Sequence, residues 1–230
     1  MVIHIWMKDE FMTNDLFQLF ENAGVSLPNE NSLGNKIILD DDHEKLLNFW
    51  TWFGDSKMVD KRGRPLVLYH GSKHKFTSFD PFKSSVGYWS AGFYFTTKNE
   101  PTAKETYNRG AAQYGKHVYP VYLRITKPLI LKTYKDGQHL EELLGIDTGF
   151  NKTDKVGDSW AKYAIGYRSE LSQEEIRQKL VSAGFDGIIN AGLYSKQEIF
   201  IVAFEPNQIK SVENKGTFFL GSSNIYECLI

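Results

Sequence analysis

From residue 66 onward the chain is a series of short β-type runs that no single long element can absorb: Leu66–His70, Phe93–Thr96, Val118–Ile125, Leu129–Leu131, Gly187–Ile189 and Ile199–Phe204. Each is rich in β-branched or aromatic residues, too short for a helix, and bounded by turn-forming residues. Helices interrupt the runs only occasionally. One follows Asn99-Glu100-Pro101, where proline suits a first helical turn, and carries Ala103 and Tyr107 on one face. Another opens at Ser172 with Glu175 three residues on, a capping-box spacing, and stops at Gly184. Because strands and helices do not alternate regularly, the pattern predicts an α+β fold with largely antiparallel sheets and not a doubly wound one.

Upstream, Asp9–Ala23 places Phe11, Leu16, Phe17, Leu19 and Phe20 at helical spacing, and the Asn-, Gly- and Pro-rich stretch from Pro28 to Lys36 reads as a loop. A second helix is predicted from the acidic Asp40-Asp41-Asp42 start through HEKLLNFWTWF to Gly54, with Leu46, Leu47, Phe49, Trp50 and Phe53 packed on the main body. At 230 residues the chain suits one substantial core better than two. A net charge of -1 supplies no global field toward phosphate backbones or anionic membranes. With Cys228 as the only cysteine, neither an internal disulfide nor a cysteine metal cluster can form, and the opening residues have neither a signal-peptide core nor a membrane span. The expectation is a cytoplasmic protein without a membrane partner.

Three segments could carry chemistry. Tyr69-His70-Gly71-Ser72 lies where an apolar strand gives way to a polar loop, so an imidazole can meet a hydroxyl while the glycine lets a flat ligand approach. Gly92-Phe93-Tyr94-Phe95-Thr96 alternates, with Phe93 and Phe95 on one face and Tyr94 on the other. Tyr94 and the helical Tyr107 can sandwich a planar, cationic ring by stacking and cation–π attraction. Glu198 leads into the apolar run Ile199–Val202, where a carboxylate can hold ribose hydroxyls and stabilise developing positive charge, as glycosidase carboxylates do. Taken singly, each has a plainer reading: a structural histidine, a pair of core tyrosines, a rim charge.

In order, YHGS, GFYFT with a helical tyrosine, and QEIFIVAFEPNQIKSV resemble the His-Tyr-Glu class of ADP-ribosyltransferases, the group of diphtheria toxin and the poly(ADP-ribose) polymerases. The likeness is greatest to bacterial and phage domains of polyvalent and virion-associated proteins, which share WFGDSK, PLVLYHG, GFYFT, VYPVYL, a DGII segment and EPNQIKS; here these run from Trp52 to Thr217. The resemblance implies two packed, mostly antiparallel sheets with an NAD cleft and flanking helices, in a catalytic domain at 49–230 after a helical extension at 1–48. It assigns His70 to the adenosine-side ribose and the Gly71 backbone to the nicotinamide amide, with Ser72 beside them. Tyr94 and Tyr107 would enclose the nicotinamide ring. Glu198 would be the catalytic glutamate, holding the 2′-hydroxyl of the nicotinamide ribose.

The implied activity is mono-ADP-ribosyl transfer from NAD as substrate to a macromolecular acceptor, protein or nucleic acid, with no metal and with delivery into a host cell as one setting. A glycohydrolase using water, and a silent NAD-binding or virion structural module, share the same residues. Arginine-modifying toxins carry an acid two residues before the catalytic glutamate, where this chain has Lys196, so arginine is not the expected acceptor. Polymerases place a small hydroxyl residue three before the second tyrosine, where Lys104 stands. His74, His117 and His139 lack ligand spacing. Lys73, Lys75 and Lys83 with Arg62 and Arg64 form a local basic stretch, read as a solvated face or as a contact for the NAD pyrophosphate or an anionic acceptor. Gly184-Phe185-Asp186-Gly187 reads as a structural turn.

Overall fold

The computed structural model describes residues 27–40, 42–81, 92–97, 111, 115–147, 170–191 and 199–226. The helices expected at Asp9–Ala23 and after Asn99 lie outside the described residues, as do Lys83, Lys104, Tyr107, Lys196 and Glu198.

Helix α1, His43–Phe53, forms as the sequence predicts. The Asp42 carboxylate accepts from the Glu44 and Lys45 amides at 3.0 and 3.2 Å, and Gly54 closes the helix at φ 55°, a value glycine adopts without a Cβ penalty. Its inner face is aromatic. The Phe49 ring lies 5.1–5.3 Å from those of Trp50, Phe53, Tyr122 and Phe218. The Trp50 indole donates to the Pro28 carbonyl at 2.9 Å and that of Trp52 to the Asn207 carbonyl at 3.1 Å, so the buried N–H groups are satisfied. The boundary drawn between residues 48 and 49 falls inside this helix, and Ile37, Ile38 and Leu46 belong to the same buried cluster as the sheet.

The strands are β1 (Leu68–Ser72), β2 (Phe93–Thr96), β3 (His117–Leu123), β4 (Pro128–Leu131), β5 (Gly187–Ala191), β6 (Ile199–Ala203) and β7 (Ile209–Ser211). Two further helices, α2 (Tyr134–Leu144) and α3 (Gln173–Ser182), carry capping boxes at Thr133/Asp136 and Ser172/Glu175. The strand order is β4-β5-β6-β2-β1-β3-β7, antiparallel throughout except for the β4–β5 pair.

Where two packed sheets were expected, the described strands form one hydrogen-bonded sheet of seven. The reason is a single rung. β1 and β2 share only the Tyr69–Thr96 pair, which joins a four-stranded half, β4-β5-β6-β2, to a three-stranded half, β1-β3-β7. Each half is otherwise laddered over three to five pairs per neighbour.

The two faces of β2 belong to different cores. Phe93 and Phe95 join the large cluster with Leu68, Val121, Leu123 and the α1 aromatics, whereas Tyr94 packs against Val202, Ile188, Leu140, Leu144, Ile176 and Leu180, the cluster under α2 and α3. Among the described residues no helix is long and apolar enough to cross a membrane.

Candidate active site at the seam of the sheet

His70 lies within β1 and not at its end, because Gly71 and Ser72 continue the ladder opposite Val118 and His117 of β3. On its other edge β1 leaves β2 after the Tyr69–Thr96 rung; continuing that register would bring Gly71 opposite Tyr94, a pair that does not form. The His70 imidazole takes over there. Its Nδ1 is 2.9 Å from the Tyr94 carbonyl oxygen, and since a carbonyl can only accept, Nδ1 carries the proton. In the neutral ring Nε2 is then the acceptor, suited to a ligand hydroxyl.

The ring is fixed by packing as well. Phe79 lies 4.9 Å away, Phe95 5.6 Å, Phe76 6.0 Å and Tyr119 6.5 Å. Burial among these rings pushes the His70 pKa down from 6.5, and the Tyr94 carbonyl, which favours the protonated form, offsets this only in part. The neutral tautomer is therefore the resting form near neutral pH. Because the folded pKa is lowered, the unfolded chain takes up the proton first on acidification. The contribution of His70 to stability is complete above pH 6.5 and is lost as pH falls from there through the folded value. Urea denaturation at about pH 7.5 and about pH 5 is expected to show a smaller loss of stability on acidification for His70→Gln than for the parent. Equal losses would show that His70 does not titrate differently in the fold.

The loop after β1 is folded back onto the sheet by Tyr119. Its hydroxyl accepts from the Phe76 amide at 2.8 Å and donates to the His74 carbonyl at 3.2 Å, while its ring stacks on Phe76 at 4.2 Å. The Ser72 hydroxyl accepts from the His74 amide at 3.1 Å, closing the turn. Gly115 crosses directly over this turn: a Cβ there would sit 2.1 Å from the Ser72 carbonyl atoms and 2.4 Å from the Lys73 nitrogen. Gly115→Ala must displace backbone. It is expected to cost about 1–3 kcal/mol, measured by thermal denaturation; a change below about 0.5 kcal/mol would mean that the turn is not held by this approach.

Of the basic stretch, Lys73 and Lys75 are exposed on the loop, joined by Lys116 and His117 at the start of β3. His117 is held below 6.5 by burial first, then by the charges of Lys116, Lys75 and His74. Arg64 is committed elsewhere, pairing with Asp60 at 2.9 Å and with Glu30. Among the described residues, no three His, Cys, Asp or Glu side chains gather as a metal site.

Several shared motif residues turn out to be structural. Asp186 accepts from the Thr126 amide, the Thr126 hydroxyl and the Lys127 amide at 2.7–2.9 Å, so the turn after α3 ties β4 and β5 together. Gln208 accepts from the Phe204 and Glu205 amides and donates to the Arg124 and Asp186 carbonyls, all within 2.8–2.9 Å. Ser56, of the WFGDSK segment, donates to the Leu123 carbonyl at 2.7 Å. Sequence reasoning missed the Phe76, Phe79 and Tyr119 enclosure; the nearest signal is the aromatic repeat at 76 and 79 after YHGS.

A family model described as "ADP-Ribosyltransferase in polyvalent proteins" matches residues 60–219, more than half of the chain and all of the seam. The chain belongs to this family of ADP-ribosyltransferases. No curated protein matches it. Among solved structures it is similar to one titled "Crystal structure of an anti-CRISPR protein", 13% identical over 62% of this chain and 90% of that one, with a TM-score of 0.31, a level that carries neither fold nor function across. For an ADP-ribosyltransferase domain, the seam brings together His70, the Gly71 strand edge and the Tyr94 carbonyl. The Tyr94 ring lies on the opposite face of β2 from Phe95, which touches His70.

Proposed function

We propose that this ADP-ribosyltransferase domain binds NAD⁺ at the open seam between β1 and β2, cleaves the nicotinamide–ribose bond, and passes one ADP-ribose to a macromolecular acceptor. The observation that carries the reading is the missing Gly71–Tyr94 rung with the His70 imidazole fixed beside it. Where β1 and β2 part, backbone groups of the Gly71 segment can meet a planar amide, and an imidazole with its tautomer set offers Nε2 to a ribose hydroxyl. His70 would thus hold the adenosine-side ribose, the Gly71 backbone the carboxamide, and Ser72 the turn behind them. Tyr94 would serve through its carbonyl on His70 and, with Tyr107, through its half-buried ring on the α2–α3 face of β2, which would put the nicotinamide across the seam from the ring of His70. Glu198 would hold the 2′-hydroxyl of the nicotinamide ribose and face the positive charge that develops as nicotinamide leaves. Binding energy along the dinucleotide would be used to orient that bond for cleavage.

The test is incubation with NAD⁺ labelled separately in nicotinamide and adenylate, alone and with a host lysate, followed by nuclease or protease digestion. Transfer predicts free nicotinamide together with adenylate label on a digestible macromolecule. Free ADP-ribose alone would make the protein a glycohydrolase. Nicotinamide release at background would leave a silent binding or structural module.

A further inference from the structure

Among the described residues, a lysine buried away from the seam has its ammonium bonded to backbone carbonyls. Lys210 of β7 is fully buried, and its Nζ donates to the Ser222 and Asn224 carbonyls at 3.0 and 3.2 Å. Burying an ammonium is costly unless it is well bonded, so its two acceptors are held as firmly as it is. They belong to a C-terminal strap, residues 222–226, that is also fastened by the Ser211 amide and the Asn214 side-chain amide, both donating to the Ile225 carbonyl at 3.0 Å.

On its far side the strap grips the loop after β1. The Ile225 amide donates to the Thr77 carbonyl at 2.9 Å, Ser78 bridges to Asn224, and the Ser78 and Ser223 hydroxyls are 2.9 Å apart. Those loop residues lie between Phe76 and Phe79, the two rings set edge-on against the His70 imidazole. An unbroken series of contacts therefore runs from a buried ammonium through a strap and a loop to the ring at the seam.

We propose that Lys210 is a positioning residue for His70: by clamping the 222–226 strap, it holds Phe76 and Phe79 against the imidazole and so fixes the ring that meets the ribose. The role in ribose binding rests on the ADP-ribosyltransferase reading; the coupling between Lys210 and the imidazole does not. The titratable and charged groups on the elements packed around His70 are Lys73, His74, Lys75 and Asp80 of the loop, Lys116 just before β3, His117, Tyr119 and Tyr122 of β3, and Tyr69 and Tyr94 of β1 and β2. None of them contributes to the lowering of its pKa, which comes from burial. A loosened loop that admits water should therefore raise it toward 6.5.

The experiment is a histidine titration by NMR on the full chain, with the His70 signal assigned through His70→Gln, compared among the parent, Lys210→Met and Asn214→Ala. The second variant releases the strap without touching Lys210. The expected result is an upward shift of the His70 midpoint in both variants, and an increase of about tenfold in the KM for NAD⁺ with a smaller change in kcat. A lower melting temperature with an unshifted His70 midpoint in a folded variant would overturn the proposal and leave Lys210 as a structural clamp. If the parent shows no turnover, the ADP-ribosyltransferase reading fails while the titration still decides the coupling.

Discussion

Glu198→Gln is expected to slow nicotinamide release from NAD⁺ by at least about a hundredfold, equivalent to ~2.7 kcal/mol of transition-state stabilisation. The substitution keeps the size of the side chain and one acceptor oxygen but removes the negative charge. On the proposed mechanism that charge would matter little while NAD⁺ is intact, because the positive charge then sits on the nicotinamide ring. It matters most as the bond stretches and charge moves onto the ribose, so the loss should fall on kcat, with the NAD⁺ dissociation constant within about threefold of the parent. Chromatographic assay of released nicotinamide, beside calorimetric titration with NAD⁺, separates the two quantities. Turnover equal to the parent would remove Glu198 from the mechanism, and loss of binding alone would recast it as a ribose contact.

The largest effect on stability is expected at Phe49→Ala, at about 3–5 kcal/mol. Phe49 is fully buried and its ring meets those of Trp50, Trp52, Phe53, Tyr122 and Phe218, which come from α1, β3 and the segment after β7. Truncation leaves a cavity walled by large rigid rings that cannot collapse into it. Against a typical total of about 5–15 kcal/mol, that is a large share. Urea denaturation followed by tryptophan fluorescence measures it, with Leu39→Ala, at a site 84% exposed, expected within about 0.5 kcal/mol of the parent. A change below about 1 kcal/mol at Phe49 would mean that α1 is a detachable extension after all.

Much of this arrangement is legible in local sequence. Asp42 and Gly54 mark the ends of α1, Ser172 and Glu175 open α3, and the alternation of Phe93, Tyr94 and Phe95 assigns faces that the two clusters reproduce. Helix α2 escaped notice because Gly137 and the run of charged residues around it hide the Leu140, Leu143, Leu144 face, although Thr133 and Asp136 cap it well. β7, at three residues, is too short to leave a periodic signal.

Part of what surrounds His70 is local, Phe76 and Phe79 just downstream, but Tyr119 is 49 residues away and the strap that holds the loop more than 150, so no window of sequence could join them all. The single sheet was missed for a related reason. Strand count and alternation are local, but whether two ladders share one rung depends on the pairing of Tyr69 with Thr96 across 26 intervening residues.

That lone rung leaves the two halves of the sheet joined at a single pair. Each half is stiffened by its own ladder, while the distance across the seam is set by side chains wedged beneath it, chiefly Phe79, Phe93 and Phe95. A lineage can therefore widen or narrow the opening by exchanging one ring for another, without rewriting either ladder. The seam can be reshaped through a handful of substitutions, while the hydrogen-bonded framework on both sides stays as it is.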